Sequence, residues 1–479
     1  GEPGRQPAPA PGADPIPTPV SGPVSREAGI PIESSTTAQA NRRYDISGNG
    51  AAIVALTLPG FIVPGDFVSV RGTGSQRWRI VPNCCPGTTA RSDMTPQAVL
   101  TSNLPGNVAT GQNWTARLAP LRWHWMASSQ DGSVLVAAEN PGNLHVSTDA
   151  GVTWAVSNTP PGQAWISASV KNPPYPYPGA GNVNIVAVAY GGAMYRSTDA
   201  GRTWNPLVSA DPGVNLGNRE WQSVTSDQYG LNLAAAILNG PIYRIGNPGA
   251  STGWQAGTLE GSGTVLERPW RALASSADGT LMAAASESGE LFLSTNRGAT
   301  WSRRSISVGS SLIERAWYRM AMSGDGKTIA IAGRANSGLY VSRDSGVSWA
   351  QAPAPIGRYT ALAISADGQV IGTTRSNDSL TGGVQVSRNG GASFSVLALP
   401  GQDSNWRAFA MSADGNQFVV AAGTLSTTPG QLYTSLGNRT SIGSAGYIEG
   451  GPKDFVELEF LGNARFRVRA FEGGPFTVR

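Results

Sequence analysis

The side chains of this 479-residue chain that could hold a metal or attack a substrate are few and scattered. Its two histidines, His124 and His145, have no partner at the spacing that metal ligands keep. The signatures of a nucleophile elbow, a phosphate-binding loop and a zinc site are all absent from the sequence. We therefore predict no metal site, no cofactor and no catalytic residue.

Three glutamates, Glu220, Glu267 and Glu314, recur just before the blade aromatics described below, each beside an arginine. A polysaccharide-active enzyme needs two carboxylates that flank the scissile bond, and acidic residues outside turns are few here. Because the three glutamates recur with the repeat, we expect them to form structural ion pairs along one rim. A charged rim that binds a ligand is the alternative.

Arginines cluster in two segments near the chain ends. Arg77 and Arg79 share one face at the strand period of two, as do Arg465, Arg467 and Arg469. Such a stripe could bind an acidic polysaccharide or nucleic acid, although a solvated strand face is the commoner role. Nucleic acid is unlikely because no aromatic residues are placed in register for stacking on bases.

A second candidate binding segment lies at 173–178, where prolines alternate with Tyr175 and Tyr177. The prolines make this segment stiff and extended, and we expect both aromatic rings to be exposed.

The clearest feature of the chain is a repeated phrase, Ser-x-Asp-x-Gly-x-Thr-Trp, which we call the box. It occurs at 147–154 and 197–204, and with drift at 294–301, 342–349 and 387–394. We predict a structural turn in each unit rather than a catalytic or metal site, because repeat-defining residues serve the fold of their own unit. The predicted structural residues are Asp149, Asp199, Asn296, Asp344, Asn389, Trp154, Trp204, Trp301 and Trp349.

Each box is preceded by a second phrase, an apolar residue followed by Ala-x-Ser-x-Asp-Gly and a short apolar run. Asp-Gly between two β-prone runs indicates a hairpin, so each unit contains four antiparallel strands, which is a propeller blade. Seven aromatics mark the first strands, and the piece at 111–118 is expected to complete blade seven and close the ring. These markers are Trp125, Trp165, Trp221, Trp270, Trp317, Tyr359 and Trp406.

The two chain ends carry a different composition. Residues 1–35 are rich in Pro, Gly and Ala and are predicted to form an extended tail. We expect an N-terminal β module and linker at 36–110, the seven-bladed propeller at 111–436 and a C-terminal β module at 437–479. The segments 66–80 and 454–468 align without a gap, each as two strands around a Gly turn. They could pair within one chain or between chains.

Composition sets further bounds. With 61 Gly and 34 Pro the chain should be all-β, and no apolar run reaches the ~18 residues of a membrane span. The two cysteines, Cys84 and Cys85, are adjacent, which leaves a vicinal disulfide or a bridge to another molecule open. Scarce cysteine with a Pro-rich start favours a secreted bacterial protein. The net charge of +4 is mildly basic.

The box pattern over roughly 113–436 resembles the Asp-box (BNR) repeat proteins, and most closely bacterial secreted members of generally unassigned activity. Sialidases, xyloglucanases and sortilin-like receptors carry the same box, so the resemblance implies the propeller but does not choose between enzyme and binder. A sialidase-like site would require an Arg-Ile-Pro phrase near the first propeller strand. The nearest match, Trp78-Arg-Ile-Val-Pro82, has an inserted Val and lies outside the propeller.

The sequence therefore predicts a secreted or cell-surface binding and scaffold protein, and it favours a protein without catalytic activity. In this interpretation the propeller is an interaction platform, and the terminal modules serve assembly or attachment to a surface partner. A glycan or an acidic polymer is a candidate ligand. A polysaccharide-active glycosidase with its site on one propeller face is the alternative.

Overall fold

A computed structural model describes residues 29–59, 66–82, 98–100, 110–171, 183–246, 252–334, 337–376, 383–400, 405–423, 429–437, 447–462, 465–474 and 476–478. Over these residues the chain is all-β, as predicted, and no helix that is long and apolar enough to cross a membrane occurs in them. Tyr175, Tyr177, Cys84 and Cys85 lie outside the described residues.

The strands of the N-terminal segment alternate between two sheets. They are β1 (Ile30–Ile32), β2 (Thr36–Thr37), β3 (Arg42–Ile46), β4 (Val54–Thr57), β5 (Phe67–Gly72), β6 (Trp78–Val81) and β7 (Ala98–Leu100). Strand β1 falls inside the span that we expected to be a tail, so the β module extends further toward the N-terminus than the composition indicates.

The propeller strands follow in sets of four. Strand β8 (Thr115–Leu121) comes first but belongs to the last blade. Blade one consists of β9 (Trp123–Ser128), β10 (Leu135–Glu139), β11 (Leu144–Ser147) and β12 (Ala155–Val156), and blade two of β13 (Trp165–Lys171), β14 (Asn184–Gly192), β15 (Met194–Ser197) and β16 (Asn205–Pro206). Blade three consists of β17 (Arg219–Ser226), β18 (Leu233–Gly240), β19 (Ile242–Ile245) and β20 (Gln255–Ala256). A short strand β21 (Thr258–Leu259) follows blade three.

The remaining blades continue the same order. They are β22 (Arg268–Ser275), β23 (Met282–Ser286), β24 (Leu291–Ser294) and β25 (Thr300–Arg304); β28 (Trp317–Met322), β29 (Ile329–Gly333), β30 (Leu339–Ser342) and β31 (Ala350–Gln351); β32 (Arg358–Ile364), β33 (Ile371–Ser376), β34 (Gly383–Ser387) and β35 (Ser395–Val396); and β36 (Trp406–Met411), β37 (Gln417–Ala422) and β38 (Gly430–Leu436). A hairpin of β26 (Ser307–Val308) and β27 (Ser311–Leu312) lies between blades four and five. Among the described residues this makes seven four-stranded antiparallel units, with blades two, three and four joined further by short pairings of β14 with β17 and of β18 with β22.

The first two strands of a blade form because an Asp-Gly turn separates two apolar runs. In blade four, Ser276 Oγ and Thr280 N donate to Asp278 Oδ1 at 2.6 and 3.0 Å, and Gly279 has a φ of 73°. The following strand β23 is buried at every position. A strand that is covered on both faces needs apolar residues throughout, which explains the unbroken Met-Ala-Ala-Ala run.

A buried aromatic near the start of each first strand packs against the third strand of its blade. The pairs have ring centroids 5.1 to 6.5 Å apart: Trp123–His145, Trp165–Tyr195, Trp221–Tyr243, Trp270–Phe292, Trp317–Tyr340 and Trp406–Tyr433. In blade six Tyr359 is fully buried instead. The sequence marker Trp125 was therefore wrong for blade one. Two tryptophans stand two residues apart there, and only the pairing of β9 with β10 shows that Trp123 occupies the buried position.

Blade seven takes its outermost strand from the other end of the propeller sequence. Strand β8 pairs antiparallel with β38. Gly111 N donates to Ser435 Oγ at 2.8 Å, and Trp114 Nε1 donates to Gly111 O at 3.0 Å. These are the bonds that Ser147, Gly151 and Trp154 make within one continuous box. The turn of blade seven is thus assembled from two distant segments, and this pairing closes the ring.

The first strands end at a ring of backbone hydrogen bonds that runs from blade to blade. The bonds are Gln228 N to Ala277 O, Ala277 N to Gly324 O, Gly324 N to Ala366 O, Ala366 N to Ala413 O and Ala413 N to Gln130 O, at 2.6 to 2.9 Å. Within the described residues they join the hairpins of six blades. We call this side of the propeller the hairpin end.

The chain ends together form one two-sheet module. The C-terminal strands are β39 (Ile448–Gly450), β40 (Phe455–Gly462), β41 (Arg465–Glu472) and β42 (Thr477–Val478). One sheet has the order β1-β3-β5-β40-β41-β7 and the other β2-β4-β6-β39-β42. Both contribute to one core, which includes Tyr44, Trp78, Val456 and Phe466.

Segments 66–80 and 454–468 each contain two strands around a turn, but the strands of the two segments pair differently. Strands β40 and β41 make an antiparallel hairpin in one sheet, whereas β5 and β6 lie in different sheets. Between β5 and β6 the backbone of Thr73 and Gly74 donates to Ile46 O at 2.8 Å, so this segment stacks on the preceding turn. An alternating pattern predicts strands but not their partners.

Candidate functional site

The first strands of the seven blades, β9, β13, β17, β22, β28, β32 and β36, surround a central cavity of about 240 Å³. We call the side on which these strands begin the arginine end, because three of its lining residues are Arg271, Arg319 and Arg407. Trp125 and Tyr318 add aromatic rings to the same lining. None of the described residues that line the cavity is an aspartate or a glutamate.

A recurring β-bulge places three of these residues, Arg271, Tyr318 and Arg407, at the extra position of their strands. The pairing of the first and second strands shifts register directly after the buried aromatic, as between Trp221 and Ser223 and between Trp270 and Ala272. A bulge re-aims the extra residue. The extra residues are His124, Ile166, Gln222, Arg271, Tyr318, Thr360 and Arg407.

One carboxylate anchors two guanidinium groups at this end. Arg271 donates to Glu287 Oε2 from Nε at 2.9 Å and from Nη2 at 2.5 Å, and Arg334 Nη1 donates to Glu287 Oε1 at 3.0 Å. Burial would raise the pKa of Glu287, but the hydrogen bonds and charges of Arg271 and Arg334 outweigh it and lower the pKa below its ordinary value. Glu287 is therefore ionised at neutral pH.

The other arginines surround an aromatic ring. Arg319 lies 4.0 Å from the centroid of the Tyr318 ring and Arg334 lies 6.0 Å from it. Arg319 foremost lowers the pKa of the Tyr318 phenol, against burial, and Arg358, Arg334 and Arg271 add to this effect. A lowered phenol pKa is the response expected in a positive potential.

His124 reports the same potential. Burial, followed by the charges of Arg319 and Arg407, lowers its pKa to about 4, although its ring nitrogen Nδ1 lies 3.3 Å from Trp165 O. The imidazole is therefore neutral at physiological pH. Among the described lining residues, Arg271, Arg319 and Arg407 carry three positive charges.

Gln222 is a buried polar residue of this lining, with only 5% of its surface exposed. Its Oε1 accepts a hydrogen bond from Arg271 Nη1 at 3.0 Å. Its Nε2 is buried and has no hydrogen-bond partner among the described residues. The wall of the cavity thus contains an unused donor next to fixed cations.

The box residues are placed at turns, where they bond to their own backbone. Asp149 Oδ1 accepts from Ser147 Oγ and Thr153 N, both at 2.8 Å. Asp199, Asn296, Asp344 and Asn389 make the corresponding pair of bonds. The ring nitrogens of Trp154, Trp204, Trp301 and Trp349 donate to the box glycine carbonyl at 3.0 to 3.3 Å. This geometry leaves the box acids engaged in the turn.

The three recurrent glutamates lie exposed at the starts of the first strands, and their partners differ from the neighbouring arginines we expected. Glu220 Oε1 accepts from Tyr190 OH at 2.9 Å. Glu314 lies 3.8 Å from Arg303. Next to Glu267, Arg268 pairs with Glu290 at 2.8 Å. In blade three Arg219 and Glu220 are consecutive residues of strand β17, so their side chains point to opposite faces. Glu267 and Glu314 precede strands β22 and β28.

The predicted arginine stripes lie on different sheets of the terminal module. Arg77 and Arg79 both bind the buried Glu449, at 2.6 and 2.5 Å, and Arg79 also covers the ring of Tyr447. Arg469 lies 3.6 Å from Glu457. Strand β41, which includes Arg465 and Arg467, belongs to the other sheet. These acids were not identified from the sequence because strand pairing brings them to the arginines. Glu449 is 370 residues away from Arg79 in the chain, and Glu457 lies on strand β40, which pairs with β41.

Sequence reasoning missed the residues at the arginine end. The signal was available: in most blades the bulged residue directly follows the buried aromatic, as in Trp221-Gln222, Trp270-Arg271 and Trp406-Arg407. Without the bulge, alternation would have placed these residues on the face opposite the aromatic, with no reason to converge on one axis.

Strand topology and the central cavity together define the main domain as a β-propeller. No family model matches the chain, and no curated protein matches it. The solved structures that are similar to it include the following two. One is described as YCF48 bound to D1 peptide, with 14% identity over 70% of this chain and 99% of that chain and a TM-score of 0.47. The other is YCF48 from Cyanidioschyzon merolae, with 15% identity over 67% and 98% and a TM-score of 0.46.

Proposed function

We propose that this protein is a non-catalytic binding and scaffold protein of the Asp-box (BNR) repeat type, secreted or held at a bacterial cell surface. The propeller is its ligand platform, and the arginine end of the cavity is its contact surface. One observation carries this proposal: the described lining residues combine cations, aromatic rings and an unused amide donor without any carboxylate. Concave surfaces with a few convergent polar groups are where proteins bind ligands.

The residues that line the cavity also argue against the alternative function, that of a glycosidase. Both glycosidase mechanisms need a carboxylic acid with a raised pKa and a second carboxylate across the scissile bond. Glu287, the carboxylate that pairs with the lining residue Arg271, has a lowered pKa and is held by two arginines. The described lining offers it no acidic partner.

The terminal module supports the second half of the proposal, assembly or attachment. Its sheets end in short strands, β1 and β7 in one sheet and β2 and β42 in the other. Unpaired edges accept strands from other chains. Among the described residues strand β1 is at the edge of its sheet, and its Ile30 is 43% exposed, so apolar surface is available there.

The test of the platform is a binding panel on the full chain, with neutral oligosaccharides, acidic oligosaccharides and peptides, run beside an assay for reducing-end release. We expect saturable binding to at least one class and no release of sugar ends. Turnover that requires Glu287 would contradict the proposal, and so would a panel without any binder.

The test of assembly is the mass of the full chain by light scattering, compared with Ile30→Lys. A charge on an edge strand opposes strand addition, so we expect the wild type to self-associate and the variant to be monomeric. A monomeric wild type would remove self-assembly from the proposal and leave the platform untouched.

A further inference from the structure

The chain contains three Asn-Gly pairs, and the fold holds them in different ways. They are Asn49-Gly50 in the terminal module, Asn239-Gly240 in blade three and Asn389-Gly390 in blade six. In such a pair the backbone nitrogen of the glycine can attack the side-chain amide of the asparagine, because glycine has no Cβ to hinder the approach. Whether this reaction occurs in a folded protein depends on what fixes the nitrogen, the leaving amide and the side-chain oxygen.

The pair in blade six is fixed by the box. Gly390 is buried, and its N donates to Gln369 O at 2.8 Å, so the attacking nitrogen is held in a hydrogen bond. Asn389 Nδ2 donates to Ser393 Oγ at 2.9 Å, so the leaving amide is held as well. This pair can react only after the box turn has opened.

The pair in blade three is fixed by strand pairing. Asn239 and Gly240 are the last two residues of strand β18. Gly240 is buried and pairs with Arg268 of strand β22 in the next blade. Rotation of the backbone at Asn239 therefore requires the pairing between two blades to open.

The pair in the terminal module has neither restraint. Asn49 and Gly50 lie in the connection between β3 and β4, and both are exposed. Among the described residues, neither Gly50 N nor Asn49 Nδ2 has a hydrogen-bond acceptor. The attacking nitrogen and the leaving amide can therefore both move without breaking a bond within this part of the chain.

The third group of the reaction, the side-chain oxygen of Asn49, is held by two donors. Ser75 N and Ser75 Oγ donate to Asn49 Oδ1 at 3.2 and 3.3 Å. Next to the pair, Gly48 O accepts from Gln76 N and Ala52 O accepts from Gln76 Nε2, both at 3.1 Å. Negative charge develops on the amide oxygen when a nucleophile adds to its carbon, and donors already in place stabilise that charge. The turn thus holds the amide oxygen and leaves the two moving groups unrestrained.

We propose that Asn49 is a site of spontaneous modification, which cyclises with Gly50 and then opens to aspartate and isoaspartate. Gly50 N gives its proton to hydroxide and forms a bond to Asn49 Cγ. The oxyanion at Oδ1 collapses, the Cγ–Nδ2 bond breaks, and ammonia leaves with a proton from water, which regenerates hydroxide. Water then adds to one of the two carbonyl carbons of the succinimide and breaks the bond of that carbon to the Gly50 nitrogen. Opening at Cγ gives aspartate, and opening at the backbone carbon gives isoaspartate, whose main chain runs through Cβ.

The products change the terminal module in charge and in backbone length. Both carry a new carboxylate, and isoaspartate lengthens the main chain by one carbon. The bonds of Gln76 to Gly48 O and Ala52 O depend on the spacing of the two carbonyls, so a longer main chain should weaken them. The modification therefore acts on the module that we assign to assembly or attachment, and not on the propeller.

The central test follows the three pairs in one sample, so that each serves as a control for the others. The full chain is kept folded at mildly alkaline pH, then digested with trypsin, which releases the three asparagines in separate peptides because arginines flank each of them. Mass spectrometry should show conversion of Asn49 at least about tenfold faster than that of Asn239 and Asn389, because the latter two require local opening. In denaturant the three rates should become similar. An intact Asn49, or equal rates at the three sites in the folded protein, would overturn the proposal.

A first variant tests the attacking group. Gly50→Ala should slow the conversion of Asn49, because a methyl group hinders ring closure. An added Cβ would lie 3.0 Å from Gln76 Nε2, the end of a flexible side chain, so we expect this variant to fold. Gly383→Ala is the matched control, because its Cβ would meet no atom within 4 Å, and it should leave the rate unchanged. Equal rates in both variants would contradict attack by Gly50 N.

A second variant tests the oxygen site. Ser75→Ala removes one of the two donors to Asn49 Oδ1 and should slow conversion in the folded protein by about fivefold, which corresponds to the loss of one hydrogen bond. In denaturant the variant and the wild type should react at the same rate, which separates this effect from a change in folding. A rate in folded S75A that does not fall would show that exposure alone controls the reaction and would overturn the role of Ser75.

Discussion

The box acid of blade two offers a sharp test of how the repeat stabilises its blade, because the chain contains its own control. Asp199 Oδ1 accepts from Ser197 Oγ at 2.8 Å and from Thr203 N at 2.9 Å, and Oδ2 accepts from Thr203 Oγ1 at 2.6 Å. In blade four Asn296 occupies the same position. Its Oδ1 makes the first two bonds, and its Nδ2 donates to Thr300 Oγ1 at 2.9 Å. Asparagine therefore satisfies the turn with one bond reversed.

The expected magnitudes follow from these bonds. Asp199→Ala removes three acceptor contacts. Loss of the hydrogen bond from buried Ser197 should cost about 1 kcal/mol. Loss of the two hydrogen bonds from exposed Thr203 should cost about 0.5 kcal/mol each, because water replaces them. The total is about 2 kcal/mol. Asp199→Asn should cost no more than about 0.5 kcal/mol.

Hydrogen exchange measured by mass spectrometry over residues 195–206 reports the free energy of local opening, so it separates this blade from the rest of the chain. Ser197 and Thr203 lie within that peptide. An equal decrease in the free energy of local opening in D199A and D199N would show that the carboxylate charge, rather than the turn geometry, stabilises the box. An unchanged free energy of local opening in both variants would show that the box acid does not contribute to stability.

The pH dependence gives the same residue a second, independent test. Burial opposes the shift, but the bonds from Thr203, Ser197 and Arg202 N lower the pKa of Asp199 below its ordinary value of 3.8. A lowered folded pKa stabilises the protein above the unfolded pKa, and this stability is lost as the pH falls through the folded value. The stability difference between wild type and D199N should therefore shrink below about pH 4. A difference that grows on acidification would refute this account.

Three further predictions concern backbone and packing. Ala200 has a φ of 58° where blade six has Gly390, so Ala200→Gly should raise the free energy of unfolding by up to ~1 kcal/mol in a denaturant titration. A lower free energy of unfolding would mean that the packing of the Ala200 methyl group outweighs the strain of the positive φ. A Cβ at Gly372 would lie 2.2 Å from the Phe409 ring, so Gly372→Ala should destabilise the protein by ~1–3 kcal/mol and lower its melting temperature. Adding Phe409→Leu should restore part of the lost stability. An unchanged melting temperature in Gly372→Ala would contradict the close contact. Glu449→Gln should destabilise the terminal module by about 2 kcal/mol. This is less than the cost of breaking a fully buried ion pair, because the arginine partners of Glu449 reach solvent. Hydrogen-exchange protection over 448–458 that stays at the wild-type level would show that the ion pairs of Glu449 do not stabilise the module.

Much of the fold was predictable because the repeat carries its own local signals. The Asp-Gly turns, the short apolar runs and the boxes each act over fewer than ten residues, so they can be identified without knowing the tertiary structure. The all-β class follows from them. The structural role predicted for residues such as Asp149 and Trp301 rests on the same local logic, since their partners lie three or four residues away.

The pairing of distant strands was harder to predict. Alternation in 66–80 predicted two strands but not that β5 and β6 would enter different sheets, because hydrogen bonding between strands carries little sequence information. The acids that meet the arginine stripes were hidden for the same reason. Glu449 meets Arg79 although 370 residues separate them in the chain.

The candidate site depended most on tertiary structure. Gln222, Arg319 and Arg407 come from three blades, and none of them belongs to a motif. Their convergence requires both closure of the ring and a bulge of one residue after each buried aromatic.

The sequence by itself determined the strands, the turns and the blade, because each depends on neighbouring residues and on the period of two. Only the tertiary structure decided which residues face the axis, which donor is left unused and where positive charge accumulates. These properties arise from groups that ring closure brings together across the whole length of the propeller, and an electrostatic potential is a sum over all of them.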